Sequence, residues 1–426
     1  MPTLLPHIRT TIPGPRSLAL ARRLARVESP DTTYLADDFP VFWESAEGCL
    51  VTDVDGNRYL DATASFGALA VGHCHPAVAR AVRRQAKSLI HGMGDVHPSR
   101  IKVELLEQIA RLAPLADARV ILGQSGSEAV EAALKTALLA TGRPGVLAFE
   151  GGYHGLTYGA LEPTARPAFR EPFSAQRGRF TLHLPYACAP EQVRAAIAGS
   201  PTPIGAVIAE PIQGRGGIRI PPAGWLGELR AACAESGALL ILDEIYTGWG
   251  RTGRLFACQR EEVAPDLLCA GKAMGGGMPI SACIGSANLI ERAWPKSTGE
   301  ALHTSTFLGH PLACAGALAA IRTIVDDDLA ARAEKIGAEL LAGLESLRAR
   351  FPDVLECVRG RGLMIGAQMR SPRIARRCLL HALREGLIVL LAGDAGDVVE
   401  ITPPLILKRR QSAWIIDCLA RFAASI

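Results

Sequence analysis

The sequence predicts an α/β protein: a large domain with a mostly parallel sheet covered by helices on both faces, plus a smaller α+β domain. Three observations carry that expectation. Between about residues 118 and 285, short continuous apolar runs alternate with helical patterns, as strands buried on both faces do. After about residue 310 the texture changes to long helical stretches followed by short strands. Near the start, Asp55-Gly56-Asn57 separates Leu50-Val51-Thr52 from Arg58-Tyr59-Leu60, which is a hairpin signal. The expected division is residues 1–60 as an N-terminal segment joining the small domain, 61–315 as the large domain and 316–426 as the C-terminal small domain.

In the alternating region, strands are expected at 119–122, 146–149, 205–209, 238–242, 267–270 and 281–284, where aliphatic runs are too short for helices. Helices are expected between them at 128–140, 191–198 and 226–235. The second region opens with helices over 311–325 and 330–350, then strands near 363–368, 387–391 and 398–402. Helix 330–350 mixes charges around one apolar stripe and reads as a solvated face. The 43 glycines and 28 prolines punctuate this series without forming any internal repeat.

Composition narrows the function. With 49% hydrophobic and 21% charged residues the chain is too apolar to be disordered. Its net charge of +4 comes from scattered basic residues, which argues against a nucleic-acid partner. The longest apolar runs, 312–321 and 387–392, fall short of the roughly 18 residues a membrane helix needs, so no membrane partner is expected. Arg9, Arg16, Arg22, Arg23 and Arg26 interrupt the first thirty residues, leaving no apolar core for a secretion signal. Eleven cysteines without a Cys-x-x-Cys pair suggest neither disulfides nor zinc, and a reducing, cytoplasmic setting is expected. His73-Cys74-His75 are adjacent and cannot all face one ion, so no metal is expected.

In an open α/β sheet, ligands bind beyond the carboxyl ends of the strands. Four such places carry chemistry. Gly123-Gln124-Ser125-Gly126-Ser127-Glu128 lies between a strand and a helix, where small residues and free N–H groups suit a phosphate. It also fits a plain strand-to-helix turn with a serine cap. Glu150-Gly151-Gly152-Tyr153-His154-Gly155 offers an aromatic that can lie on a planar ligand and a histidine that can orient it, although loop packing would use the same tyrosine. Leu239-Leu240-Ile241-Leu242-Asp243-Glu244 ends a buried strand in acids, so Asp243 needs a positive partner. Ala270-Gly271-Lys272-Ala273 delivers a lysine into a glycine-rich turn, where desolvation would lower its pKa and let it form a Schiff base. A Walker A loop is rejected there, because Asp266 and Ala273 stand where glycine and a hydroxyl are required.

Phosphate cradle, aromatic plate, acid and amine are together what pyridoxal phosphate needs. The chain resembles the class III, ornithine/4-aminobutyrate/ω-aminotransferase-like group of fold-type I pyridoxal-phosphate enzymes. The resemblance runs in order through Asp53-Val54-Asp55-Gly56-Asn57-Arg58-Tyr59-Leu60-Asp61, Gly72-His73-Cys74-His75-Pro76, Ser125-Gly126-Ser127-Glu128-Ala129 and Tyr153-His154-Gly155. It continues through Glu210-Pro211-Ile212-Gln213-Gly214, Asp243-Glu244-Ile245-Tyr246-Thr247-Gly248-Trp249-Gly250-Arg251-Thr252-Gly253, Gly271-Lys272, Thr306-Phe307 and Thr402-Pro403-Pro404-Leu405.

The resemblance implies that residues 61–315 bind the cofactor, with Lys272 and Asp243 catalytic. Lys272 would hold the cofactor as a Schiff base and then move the proton at the substrate Cα; Asp243 would pair with the pyridine nitrogen. Ser125, Gly126 and Ser127 would bind the phosphate and Tyr153 would stack on the ring, with His154, Glu210, Ile245 and Tyr246 completing the site. Thr306 resembles a threonine that reaches the phosphate of the neighbouring subunit, which implies a homodimer with shared active sites. The implied activity is ping-pong transfer of an amino group from an amine, ω-amino or amino-acid donor to a keto acid or aldehyde. A racemase, epimerase or aminomutase would use the same parts, whereas a non-catalytic scaffold would have no reason to keep both Lys272 and Asp243.

Three departures bear on the substrate. Tyr246 stands where relatives have Gln, and Phe66 stands where several have an aromatic hydroxyl. Relatives acting on α-amino acids place Glu after the Glu-Pro-Ile-Gln motif and Arg before the Thr-Pro-Pro motif; here those positions are Arg215 and Glu400. If the two meet, the ion pair has its polarity exchanged. Either Arg215 swings to bind a carboxylate from a different direction, or the pair is only a structural lock and the substrate lacks an α-carboxylate at that point; with Phe66 as an apolar wall the second is favoured, with an amine, amino-alcohol or ω-amino donor and an α-keto acid such as pyruvate as acceptor.

Overall fold

Asp53 explains why the chain turns where the polar triplet interrupts the apolar runs. Its Oδ1 accepts from the N–H groups of Asp55 (2.9 Å) and Asn57 (2.8 Å), and its Oδ2 from the side chains of Asn57 and Tyr59. In the computed structural model, which describes residues 5–426, this turn joins β2 (Leu50–Asp53) to β3 (Arg58–Asp61), with β1 (Trp43–Glu47) alongside β2. A short strand from the C-terminal region, β13 (Leu387–Ile388), completes this sheet by pairing in parallel with β3.

The central sheet contains β4 (Ala118–Gly123), β5 (Gly145–Phe149), β6 (Thr181–Leu184), β7 (Ile204–Ala209), β8 (Leu239–Asp243), β9 (Leu267–Ala270) and β10 (Ser281–Ser286). Their order is β4-β10-β9-β8-β7-β5-β6. β10 runs antiparallel to both neighbours, so the other six share one direction. β6, which no apolar run announces, is the sheet's edge strand and is only half-buried, with His183 in its middle. Inside the sheet Val207, Leu240, Leu242 and Leu268 are fully buried, each burial stabilising by about 1.5–3 kcal/mol.

Helices cover both faces. Gly126–Thr141 lies against β9 and β10, and its alanines at 129, 132, 133 and 137 allow a close approach. Pro311–Asp326 is buried nearly all round because its sequence is almost wholly small and aliphatic, and it packs on Pro76–Ala86. The third sheet, in the order β11-β12-β15-β14, comprises β11 (Leu355–Arg361), β12 (Met364–Met369), β14 (Leu390–Ala392) and β15 (Val398–Ile401). Helix Leu329–Arg350 covers β11. The apolar run at 387–391 is therefore two strands: the chain leaves one sheet as β13 and enters another as β14. β11 escapes a hydrophobic reading because Glu356, Arg359 and Arg361 interrupt it. Among the described residues no helix is long and apolar enough to cross a membrane.

Candidate active site

The shared strand direction brings the carboxyl ends of β4, β5, β7, β8 and β9 to one edge of the sheet, where a cavity of about 430 Å³ opens. That volume suits a small organic ligand. A larger groove of about 1230 Å³ between helices Pro76–Ala86, Arg100–Leu112 and Pro311–Asp326 is lined by arginines, acids and small apolar residues and contains no buried acid–amine pair. The reactive groups converge in the smaller one.

At the end of β4, Ser125 caps helix Gly126–Thr141, its Oγ accepting from the Glu128 N–H at 3.3 Å. The amides of Gly126 and Ser127, at positions without an intrahelical acceptor, remain available to an anion. A Cβ on Gly126 would stand 2.9 Å from Ile245 Cδ1. Gly155, with φ of +125°, comes so near Ser127 that a Cβ there would lie 2.2 Å from the serine Oγ. Only glycine leaves that hydroxyl in place. Small residues, free amides and a hydroxyl on a helix start fit a phosphate.

At the end of β8, Asp243 is buried, and its Oδ2 accepts from His154 Nδ1 at 2.8 Å while Oδ1 accepts from the Ile245 N–H at 3.1 Å. The adjacent acid works elsewhere. Glu244 accepts from Thr247 and from the N–H groups of Ala257 and Cys258, pinning the following turn. Lys272 follows β9 in the left-handed region (φ +37°), a strained position for a side chain of this size and one typical of functional sites. Its ammonium lies 4.6 Å from the Tyr246 ring centroid. Desolvation lowers its pKa, against the opposing pull of Asp243 and Glu210. A readily deprotonated amine, a fixed carboxylate and a phosphate cradle in one cavity fit pyridoxal phosphate.

Glu210, just past β7, accepts from the N–H groups of Tyr153 and Gly214, both at 3.0 Å, and burial pushes its pKa up to about 7. Tyr153, which also lines the cavity, packs edge-on to Phe169. The Tyr246 hydroxyl is engaged away from the cavity: it donates to Glu400 and lies 3.0 Å from Thr402 Oγ1. Glu400 is buried in β15, where desolvation pushes its pKa up to about 7 while Arg215 pulls it down. Arg215 lines the cavity, yet its guanidinium is not within 4.0 Å of Glu400. The exchanged ion pair does not form.

Besides Glu400, two expected residues stand apart from the cavity wall. Phe66 is 58% exposed, because three successive non-glycine residues, Ala64, Ser65 and Phe66, adopt left-handed backbone and leave its ring at the surface. The apolar wall expected of it is not formed; Ala68 lines the cavity instead. Thr306 is exposed, but its neighbour Ser305 accepts from Gln124 Nε2 at 2.6 Å, which ties that segment to the phosphate cradle. Gln124, Met278 and Ile280 also line the cavity, and no motif assigns them a role; Gln124 sits inside the Ser-Gly-Ser motif's own turn and was legible there.

The family model described as Aminotransferase class-III matches residues 34–422. The acetylornithine aminotransferase of Methanopyrus kandleri is 40% identical over 369 residues, covering 87% of this chain and 90% of that protein. The ornithine aminotransferase of Toxoplasma gondii superimposes with a TM-score of 0.87 at 28% identity, over 96% of this chain and 95% of that one. A second structure of the Toxoplasma enzyme, at TM-score 0.85 and 29% identity over 96% and 93% of the two chains, is described with partial occupancy of pyridoxal phosphate at its active site.

Proposed function

The chain belongs to the class III aminotransferases, pyridoxal-phosphate enzymes of fold-type I, and on that premise we propose that the cavity at the end of the central sheet is its active site, with Lys272 and Asp243 as the catalytic residues. The protein is a pyridoxal-phosphate-dependent transaminase acting on amino and keto compounds. The observation that carries the site assignment is the meeting of Lys272, Asp243 and the start of helix Gly126–Thr141 in one cavity.

Bound there, pyridoxal phosphate supplies an aldehyde carbon that takes up the amino group and an electron-withdrawing ring. The amides of Gly126 and Ser127, with the Ser127 hydroxyl, would hold the phosphate at a helix start that the Ser125 cap fixes. Tyr153 and Ile245, which line the same cavity, would contact the ring. Asp243, aligned by His154 and the Ile245 N–H, would hold a proton on the ring nitrogen. Lys272 would hold the cofactor's aldehyde carbon and, as the free amine, would move the proton at the substrate Cα. Its lowered pKa favours the free amine that this transfer requires.

The working unit proposed is a homodimer with shared sites, in the cytoplasm. Leu89, Ile90, Met93, Val96 and Phe307 are all exposed, and His91 and Phe307 bring their two segments together with ring centroids 5.1 Å apart. A second copy covering this surface would bury it and the Thr306 segment together. Every cysteine of the described residues is a free thiol, which supports a reducing compartment.

Borohydride reduction followed by peptide mapping tests the site: the cofactor mass must appear on the peptide containing Lys272. Addition of donor alone then separates transamination from racemisation on the same scaffold. A transaminase releases about one equivalent of keto product per site and stops; a racemase releases none.

A further inference from the structure

We propose that this protein has a second ligand site, for a small amphipathic carboxylate, at the far end of the helix whose start serves the cofactor phosphate, and that its occupancy slows loss of the cofactor. The link to the cofactor rests on the active-site reading above; the pocket itself does not.

A pocket of about 230 Å³ opens beside the C-terminal half of helix Gly126–Thr141, near the starts of β5 and β7. Leu134 and Leu138 wall it from the helix, and Pro144, Val146 and Phe180 from the approaches to β5 and β6. The Val146 N–H donates to the Phe180 carbonyl at 2.9 Å, which ties those approaches together. Leu138 is 46% exposed, apolar surface that a hydrocarbon chain would take out of water. Charge decides the head group. Lys135 and Arg143 also line the pocket, and neither is paired with a carboxylate among the described residues: Lys135 Nζ lies 3.2 Å from His303 Nδ1, and Arg143 donates to the Ser236 carbonyl at 2.9 Å. Among the described residues that line it, the one acid is Glu131, which accepts from the Thr157 hydroxyl and packs so closely on Gly159 that a Cβ there would lie 2.8 Å from its Cδ. A carboxylate beside the two cations, with its chain on the leucines, uses both features; a neutral chain uses one. A chain of about eight to ten non-hydrogen atoms suits the volume.

Glu131 also connects the pocket to the phosphate cradle. Thr157, which it holds, follows Leu156, whose N–H donates to Ser127 Oγ at 3.3 Å, and Gly155, which abuts the same hydroxyl. The two sites are nevertheless separate: at 1.5 Å per residue, Leu138 lies about 17 Å further along the helix than Ser127. Residues 131, 134, 135 and 138 share one face of that helix. A ligand packed on Leu134 and Leu138 stiffens the face that carries Glu131, so the 155–157 segment parts from Ser127 less often and the phosphate is released more slowly.

The test uses the cofactor-loaded enzyme, with octanoate as probe and octanol as its uncharged counterpart. Calorimetry is expected to show saturable octanoate binding, tighter than that of octanol by about threefold to tenfold. Lys135→Gln combined with Arg143→Gln should erase that preference, and Leu138→Asp, which puts a charge on the apolar wall, should weaken octanoate by about tenfold or more. Saturating octanoate should slow the loss of cofactor on dilution, followed by its absorbance, by about twofold to tenfold in the wild type and not in Leu138→Asp. The double glutamine variant alters exposed side chains only, so it decides the matter if the aspartate variant folds poorly. No saturable octanoate binding, octanoate affinity unchanged in Leu138→Asp, a carboxylate preference that survives the double variant, or unchanged cofactor loss at saturation would overturn the proposal. Octanoate binding needs no reaction, so failure of the active-site reading would show separately, as a cofactor adduct absent from Lys272 while octanoate still binds and Leu138→Asp still weakens it.

Discussion

The imidazole of His154 donates through Nδ1 to Oδ2 of Asp243 at 2.8 Å, linking the turn after β5 to the end of β8 across the buried floor of the cavity. Asp243 therefore has one oxygen fixed by a ring and the other by the Ile245 N–H, and its orientation is set before any ligand binds. Replacing Asp243 by Asn keeps the shape but removes the charge that would hold a proton on the ring nitrogen. The expected result is retention of fold and some cofactor, with turnover lower by about three orders of magnitude or more. Single-turnover rates of Asp243→Asn check this, and near-normal rates would remove Asp243 from the mechanism. His154→Phe should lose less, about tenfold to a hundredfold, because it disturbs alignment alone.

Gly155→Ala tests the phosphate cradle. The added Cβ would meet Ser127 Oγ at 2.2 Å, and a φ of +125° is strained for alanine. A stability loss of about 1–3 kcal/mol is expected, together with weaker cofactor retention. Equilibrium dialysis of cofactor against the wild type measures the second effect. Cofactor affinity equal to wild type would show that Ser127 can yield without consequence.

The central sheet was legible because its strands are continuous aliphatic runs, and the reactive residues were legible because each sits directly after one of them. The substrate side was not. The Arg215–Glu400 exchange could be read as an ion pair from one-dimensional positions, but their relation depends on Tyr246, whose hydroxyl crosses from the end of β8 to β15. Phe66 was similarly opaque: nothing in Ala64-Ser65-Phe66 announces three left-handed residues that carry the ring to the surface. Edge and small-domain strands such as β6 and β11 carry polar interruptions, so a hydrophobicity reading passes over them.

Glu400 gives carboxylate binding in the cavity a pH dependence. Its pKa is raised to about 7 chiefly by burial, with Arg215 and the Thr402 hydroxyl lowering it and Glu210 raising it. Below that pH Glu400 is neutral; above it, ionised Glu400, still held by the Tyr246 hydroxyl, repels an incoming carboxylate through space. The affinity for pentanoate, a carboxylate that cannot react, measured by calorimetry on the cofactor-loaded enzyme, should therefore fall as pH rises from about 6 to 8, by about threefold to tenfold. Glu400→Gln, neutral throughout, should flatten most of that fall, leaving the part due to Glu210, which titrates in the same range. An unchanged profile in Glu400→Gln would assign the whole dependence elsewhere.

The proposed shared-site dimer makes a prediction that single variants cannot. If Thr306 of one subunit serves the phosphate of the other, Thr306→Asp places a negative charge against a neighbour's cofactor while its own subunit's Lys272 remains competent. Lys272→Ala disables the subunit that carries it. Each variant alone is expected to be nearly inactive as a homodimer. In a mixed dimer, the site with intact Lys272 receives Thr306 from the Lys272→Ala subunit and is whole, while the other site carries both defects. Random remixing by denaturation and renaturation makes half of the dimers mixed, with one good site in two, so activity should recover to about a quarter of wild type. Sites built within single subunits would leave every site defective and give no recovery. Sedimentation of the mixture confirms that dimers have re-formed, and the recovered fraction distinguishes the two architectures without knowledge of the natural substrate.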